Sequence, residues 1–317
     1  MVKAGRREAM GRKGHSAGGM VLVLILLIIG QAAGAGAQRT FNTPEEAFKA
    51  LAEAAGRQDE AALLDIVGHE HRDLVILEDK AQAREGRERF YDLYKEYSQV
   101  ILQGEVQAVL QIGKLGWPFP IPAMKEGATW RLDSAAGREE ILNRRIGENE
   151  LMAIRVCRAY VDGQRAYAST DRDGDDVLEY AQRIASTPGR RDGLYWESGP
   201  GEEVSPFGPL IAEQKEYLAG RKVGEPYYGY YYKILTRQGA NVPGGRYDYV
   251  INGNMIAGFA MVVYPAEYGR SGIMTFVVNH QGRVYQKDQG PNSEDMGRAM
   301  EEYNPDSSWK LAEEDKD

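Results

Sequence analysis

The stretch from Tyr227 to Lys287 leaves this chain the fewest ways to fold. It reads YYGYYYKILTRQGANVPGGRYDYVINGNMIAGFAMVVYPAEYGRSGIMTFVVNHQGRVYQK, short Tyr/Val/Ile/Phe-rich runs broken by glycine-containing turns. β-Branched and aromatic residues suit a pleated, half-buried surface, and runs this short and evenly punctuated predict an antiparallel meander. Strands are expected over 228–235, 247–251, 258–264, 273–279 and 283–286, with turns at Val242-Pro243-Gly244-Gly245, Asn252-Gly253 and His280-Gln281-Gly282. Asn252-Gly253 is the most specific of these, because a two-residue type I′ turn needs positive φ at both positions.

A sheet needs a second layer to bury one of its faces. Arg138 to about Ser169 supplies it: Ile141, Leu142, Ile146, Leu151, Ile154, Cys157 and Val161 form an apolar stripe at helical spacing. This helix is expected to leave a first domain and pack on the terminal sheet. Gly147 and Gly163 each cost a helix interior about 1 kcal/mol relative to Ala, so a break is expected near Gly147. Between helix and sheet, Ser198 to Pro209 reads as irregular chain and Ile211 to Leu218 as a short helix. The acidic segment from Pro305 to Asp317 reads as a mobile tail.

Upstream, Thr43-Pro44-Glu45-Glu46 is a capping box that starts a helix running to about Gly56. Further helices are expected over 60–67 and 87–99. Val106, Ala108, Leu110 and Ile112 then alternate with polar positions, as in a half-buried strand. The three prolines of Trp117-Pro118-Phe119-Pro120-Ile121-Pro122 make an extended connection, and Trp130 and Leu132 mark another strand. The expected fold class is therefore α+β. A helix and antiparallel-hairpin domain occupies 38–137, a helix-plus-meander domain 138–304, and a tail 305–317. The element order of the first domain is similar to the cone-shaped fold of nuclear transport factor and ketosteroid isomerase relatives.

The first 37 residues are read apart from the fold. Lys3, Arg6, Arg7, Arg12 and Lys13 precede the apolar run Met20–Gly30, and Ala33-Gly34-Ala35-Gly36-Ala37 forms a small-residue zone. This is the pattern of a secretory signal peptide cleaved after Ala37. The apolar run is short for a membrane span, so no anchor is expected to remain, and the expected location is periplasmic or secreted. Removing five basic residues and one acidic residue leaves 34 Lys and Arg against 46 Asp and Glu, a net charge of −12. Such a surface excludes nucleic acid as a partner. Cys157 is the lone cysteine, so no intramolecular disulfide forms, and its place in the helical stripe reads as a small buried hydrophobe.

Five blocks carry a resemblance: Arg145-Ile146-Gly147-Glu148-Asn149-Glu150, Cys157-Arg158-Ala159-Tyr160-Val161-Asp162, Asp192-Gly193-Leu194-Tyr195-Trp196, Gly229-Tyr230-Tyr231 and Tyr264-Pro265-Ala266-Glu267-Tyr268-Gly269. They resemble the conserved blocks of a family of bacterial exported proteins, domain-of-unknown-function family 2950. The resemblance implies export and brings no activity with it. The terminal part is also similar in plan to the globular part of type IV pilins and pseudopilins. It departs from them in its helix, which is internal and charged in every turn instead of N-terminal and continuously apolar.

The sharpest candidate site is Asp171-Arg172-Asp173-Gly174-Asp175-Asp176-Val177-Leu178-Glu179. Asp171, Asp173, Asp175 and Glu179, with the Val177 carbonyl, have the oxygen-ligand spacing of the first half of a calcium loop. Asp176 stands where such a loop has Gly, and Gln182 where a bidentate Glu closes it, so the same residues also suit a solvated turn. His69-Glu70-His71 lacks the i, i+4 spacing of a helical metal pair, and His280 reads as a turn residue. Asp59 and Asp133 are acidic residues of the first domain to which no catalytic role is given, and no catalytic residue is named. The preferred reading is a non-enzymatic envelope or secreted protein that binds an envelope protein or glycan, with Tyr228, Tyr230 and Tyr232 as its surface. The alternative is a small-molecule binder or enzyme using a pocket in the cone-like domain. Its mark would be an enclosed cavity with convergent polar groups and a perturbed carboxylate.

Overall fold

The computed structural model of the chain describes residues 37–77, 79–213 and 224–312. Residues 1–36 lie outside them, as do residues 78, 214–223 and 313–317. The chain is α+β, as expected, with two hydrophobic cores strung on one long helix.

Helices come first: α1 (Pro44–Gly56), α2 (Glu60–Val67) and α3 (Lys80–Glu96), with a 3₁₀ turn over His69–Leu74 between the last two. The capping box forms. Thr43 Oγ1 accepts from Glu46 N at 3.2 Å, and the Glu46 carboxylate reaches back to Asn42 N at 3.1 Å. The helix expected over 87–99 begins earlier, where Asp79 caps it by accepting from Ala81 N at 2.8 Å, and it ends earlier too. Tyr97 is already extended, because the Val100-Ile101 segment beyond it pairs along its whole length as β1 (Ser98–Gln103) against β2 (Gln107–Ile112). β3 (Trp117–Pro118), β4 (Ala123–Glu126) and β5 (Thr129–Leu132) complete an antiparallel sheet of order β1-β2-β4-β5, with β3 on the end of β2. Phe48, Leu51, Leu63 and Ile66 of the helices bury against Leu110, Ile112 and Leu132 of this sheet.

The helical stripe is one continuous helix, α4 (Ser134–Tyr167), of 34 residues. The break expected at Gly147 is not there. A side chain at Gly147 would meet nothing within 4 Å, so this glycine costs only its intrinsic propensity, which packing at both ends of the helix outweighs. Gly163, in contrast, is needed for fit: a Cβ there would come within 2.9 Å of the Phe207 ring. Gly137, in the first turn of α4, packs under Ile121 of the first core. From Asn149 onward α4 belongs to the second core. Asn149 Nδ2 donates to Ser271 O at 2.9 Å, and Glu150 Oε1 accepts from Ile273 N at 2.9 Å and Met274 N at 3.0 Å. The Arg145–Glu150 block is thus a clasp between helix and sheet.

After α4 come the short helix α5 (Gly208–Glu213) and the meander. Its strands are β6 (Tyr230–Leu235), β7 (Arg237–Gln238), β8 (Tyr247–Asp248), β9 (Val250–Ile251), β10 (Asn254–Met255), β11 (Ala260–Pro265), β12 (Met274–Asn279) and β13 (Tyr285–Asp288). The type I′ signal holds: Asn252 and Gly253 have φ of 53° and 97° between the paired β9 and β10. β14 (Lys310–Leu311) adds to β13, giving a sheet of order β14-β13-β12-β11-β6. The expectation of a tail mobile from Pro305 is therefore corrected for its first part. Ala312 is buried and its N donates to Val284 O at 2.9 Å, while residues 313–317 lie outside the described chain. The helix expected over 211–218 falls mostly on undescribed residues; its described part is the end of α5. With α4 on one face and α6 (Ser293–Ala299) on the other, β11 is buried along its full length.

Candidate functional site

The acidic loop is held in place by one buried amide. Gln164, near the end of α4, is fully buried, and its side chain pairs with both backbone groups of Ala181. Nε2 donates to Ala181 O at 2.8 Å and Oε1 accepts from Ala181 N at 2.7 Å, as a neighbouring strand would. Nε2 also donates to Tyr160 Oη at 3.1 Å, and Tyr160 Oη donates to Ala260 O of β11 at 3.0 Å. The bridge between Tyr180 and Met255 of β10 extends this pairing. Helix, meander and the downstream end of the loop thus meet in one hydrogen-bonded chain.

Within the loop, carboxylate oxygens of Asp171, Asp173 and Asp175 lie within 4.8 Å of one another. Asp171 turns the backbone around itself, accepting from Gly174 N at 2.8 Å and Asp176 N at 2.9 Å, and these N–H groups hold its carboxyl below the usual range. Asp173 is pushed the other way by desolvation and then by Asp175 and Asp171. Asp176 takes a φ of 67°, the left-handed conformation for which a calcium loop uses Gly at that place. Glu179 is not brought to the three aspartates. Its Oε2 accepts from Met255 N at 3.1 Å, and burial pushes its carboxyl up. Gln182 donates to Gly253 O at 2.7 Å, and Asp175 accepts from Asn254 Nδ2 at 2.7 Å, so the meander's β9–β10 turn braces the loop from outside.

Sequence reasoning passed over the residues facing this loop. Arg172, between two of the aspartates, turns inward; its side chain is only 8% exposed. Its guanidinium lies over the Tyr167 and Trp196 rings at 5.0 and 5.1 Å and bonds Glu203 at 2.9 Å, and Arg191 bonds the other oxygen of Glu203 at 2.9 Å. Asp192 holds the chain reversal at Thr187, accepting from its N at 2.7 Å and its Oγ1 at 2.8 Å; against an opposing desolvation, these bonds keep its carboxyl low. Together these segments form an open groove of about 620 Å³, lined by Asp173, Glu179 and Asp192 and by Arg183, Arg190 and Arg191, with Arg183 4.0 Å from the Asp192 carboxylate. The Tyr167 phenol at its base is pushed up to about 12 by burial and by Glu179. The Asp192–Trp196 block was the available signal, since it carries both the turn and the ring.

The tyrosine surface needs correcting. Tyr230 is fully buried, donating to Met274 O at 3.1 Å, and burial with Glu150 nearby pushes its phenol up. Tyr231 packs on Tyr264 across the sheet, with ring centroids 5.6 Å apart. Tyr230 is in the core, while Tyr231 and Tyr232 are partly buried and packed against it. Tyr228 and Tyr232 are half-buried, and Tyr232 Oη donates to Tyr227 O at 3.3 Å. Asp59 and Asp133 are helix caps, accepting from Ala62 N at 3.0 Å and Ala136 N at 3.1 Å. The cleft beside the first core, about 200 Å³, is apolar, lined by residues such as Leu51, Phe90, Phe119 and Ile121. Arg87 at its edge is tied to Glu60 at 3.1 Å. Cys157 is buried, and burial pushes its thiol far up.

His69 bonds Asp65 at 3.1 Å, while His71 lies 3.9 Å from Glu70. His280 sits at its expected turn, half-buried, its ring against those of Tyr249 and Phe259, and its Nδ1 is buried without a partner among the described residues. Burial and the Arg165 charge depress its pKa. A depressed pKa contributes stability that is complete above about pH 6.5 and is lost as pH falls through the lower folded value. Urea unfolding from neutral pH to about pH 5 will therefore show a larger loss of stability for the wild type than for His280→Gln; parallel losses would contradict this.

No curated protein matches the chain, and neither does any solved structure. The likenesses to the cone-shaped fold and to pilins thus stay likenesses of element order. The family described as "Protein of unknown function (DUF2950)" matches residues 38–312, nearly all of the described chain. This protein belongs to the DUF2950 family.

Proposed function

We propose that this is an exported, non-enzymatic protein that binds an envelope protein through the groove beside the acidic loop. The observation that carries the reading is the groove itself. It is open, it is lined by carboxylates and arginines together, and it is braced by α4 and the meander. A rigid site bearing both signs of charge selects a partner segment with the complementary pattern and rejects one of uniform sign. A protein segment fits that demand better than a neutral glycan. The contact moves here from the tyrosine strand because Tyr230 is part of the core. Export is supported by the basic, apolar and small-residue order of residues 1–37 and by a family match that begins at residue 38, just past the expected cleavage.

In this reading the acidic loop takes a calcium ion through Asp171, Asp173 and Asp175. The cation offsets their mutual repulsion and stiffens one wall of the groove. With Glu179 and Gln182 committed to the meander, the ligand set is incomplete, and affinity belongs in the weak extracellular range of about 10⁻⁴ to 10⁻³ M.

Calorimetric titration of residues 38–317 with calcium will give heat in that range, abolished in Asp173→Asn/Asp175→Asn. No heat at millimolar calcium ends the calcium reading and leaves the groove standing. For the groove, crosslinked capture from envelope extract is compared between wild type and Arg183→Glu/Arg190→Glu, whose side chains are not part of the Glu203 clasp. The reading expects a reproducible protein partner whose capture falls about tenfold in the variant and weakens with salt. The same proteins captured equally by both would refute it, and capture of a glycan alone would shift the partner class.

A further inference from the structure

Helices α1 to α4 and the proline segment leave the apolar cleft of about 200 Å³ beside the first core. Leu51 of α1 and Leu63 and Val67 of α2 line it, and all three are buried. The Phe90 ring of α3 and the Phe119 ring of the proline segment meet there with centroids 4.8 Å apart. Leu77 and Ile141 also line it, yet they are 42% and 40% exposed, so the cleft opens to solvent past apolar side chains. Gly86 adds to the space. It lines the cleft from within α3, where glycine is unfavourable, and a Cβ there would meet nothing within 4 Å.

Size, polarity and charge of the lining define what such a cleft can hold. An apolar cavity of about 150 Å³ is enough for one benzene, so this one matches a single ring with little to spare. Arg87 is the one charged side chain among the described lining residues, and Gln82 is the other polar one. Arg87 is already committed: Nη1 and Nη2 donate to Glu60 Oε1 at 3.2 and 3.1 Å, and Nε donates to Ala83 O at 3.1 Å. A buried ion needs a partner of opposite charge, and the lining offers none, so a charged occupant is disfavoured. A peptide would bring backbone N–H and C=O groups that one glutamine amide cannot satisfy.

We propose that this cleft binds a small uncharged molecule whose apolar part is about the size of one aromatic ring. The ring packs beside Phe90 and Phe119, where tilted aromatic contacts are favourable. Covering Leu77 and Ile141 removes apolar surface from water and supplies the affinity. Gln82 offers one hydrogen bond to a polar group left at the opening. Ile141 of the cleft and Tyr167 of the groove stand on the same helix, about 39 Å apart at 1.5 Å per residue. The two sites are therefore separate, and this one does not rest on the groove.

Methyl NMR titration of residues 38–317 with benzene tests this, with benzoate as the charged counterpart. Benzene should shift the Leu63, Val67 and Ile141 methyls saturably, while methyls of the second core such as Val262 stay still. Benzoate should bind about tenfold more weakly or worse. Gly86→Leu, which puts a side chain into the cleft, should melt no lower than the wild type and weaken benzene binding by about tenfold or more. No saturable shift at the lining methyls overturns the proposal, and so do shifts spread over both cores. Benzoate binding as tightly as benzene overturns it, as does a folded Gly86→Leu that binds benzene like the wild type. Should Gly86→Leu fold poorly, the wild-type shifts and the benzoate comparison decide alone.

Discussion

The pairing of Gln164 with the backbone of Ala181 is the constraint on which the site depends. Burying a primary amide is unfavourable unless its donors and acceptor are all used. Here Ala181 N and O and Tyr160 Oη absorb them, and Tyr160 Oη passes the chain on to Ala260 O, so only one placement of the loop's downstream end satisfies every group. α4 supplies the rigid rod. Its first turns pack on the first core, its Arg145–Glu150 block grips the β11–β12 connection, and its last turns present Tyr160, Gln164 and Tyr167 to the loop. Acidic loop, arginine loop and meander turn are thereby fixed relative to one another.

This arrangement resolves a conflict in the local electrostatics. Asp171, Asp173 and Asp175 crowd one turn, and Arg172, inserted among them, does not neutralise them. It leaves the loop to stack between Tyr167 and Trp196 and to bond Glu203. A guanidinium suits that position because its flat faces accept aromatic rings while its edge donates to a carboxylate. The aspartates keep their negative field beside Arg183 and Arg190, which line the same groove. Charged groups of both signs, held in fixed places by a scaffold, are what the proposed binding role would require.

What could be read beforehand follows a physical division. Local signals were legible: the Thr43 capping box, the Asn252-Gly253 turn and the apolar stripe of α4, apart from the exposed Ile141 and Leu151, each rest on residues within a few positions of one another. Features decided by distant partners were not. β1 was hidden because Tyr97 continues the spacing of Phe90, Leu93 and Tyr94, and only pairing with β2 ends the helix. Gly147 looked like a break because its cost is local, whereas the packing that overrides it is not. Tyr230 looked like surface because strand alternation says which residues share a face and nothing about whether that face is covered. Of the site, the three aspartates were legible from their spacing. The groove's arginines, Asn254 and the inward turn of Arg172 depend on chain that returns from up to 79 residues away.

Amide hydrogen exchange at Ala181, compared between wild type and Gln164→Met, tests the central claim most directly. Removing the amide leaves Ala181 N and O buried without partners, at about 1–3 kcal/mol each. The account predicts that Ala181 loses its protection in the variant by about a hundredfold or more, while β11 and β12 stay protected, because the loop detaches from a sheet that remains folded. Equal protection of Ala181 in both proteins would contradict it.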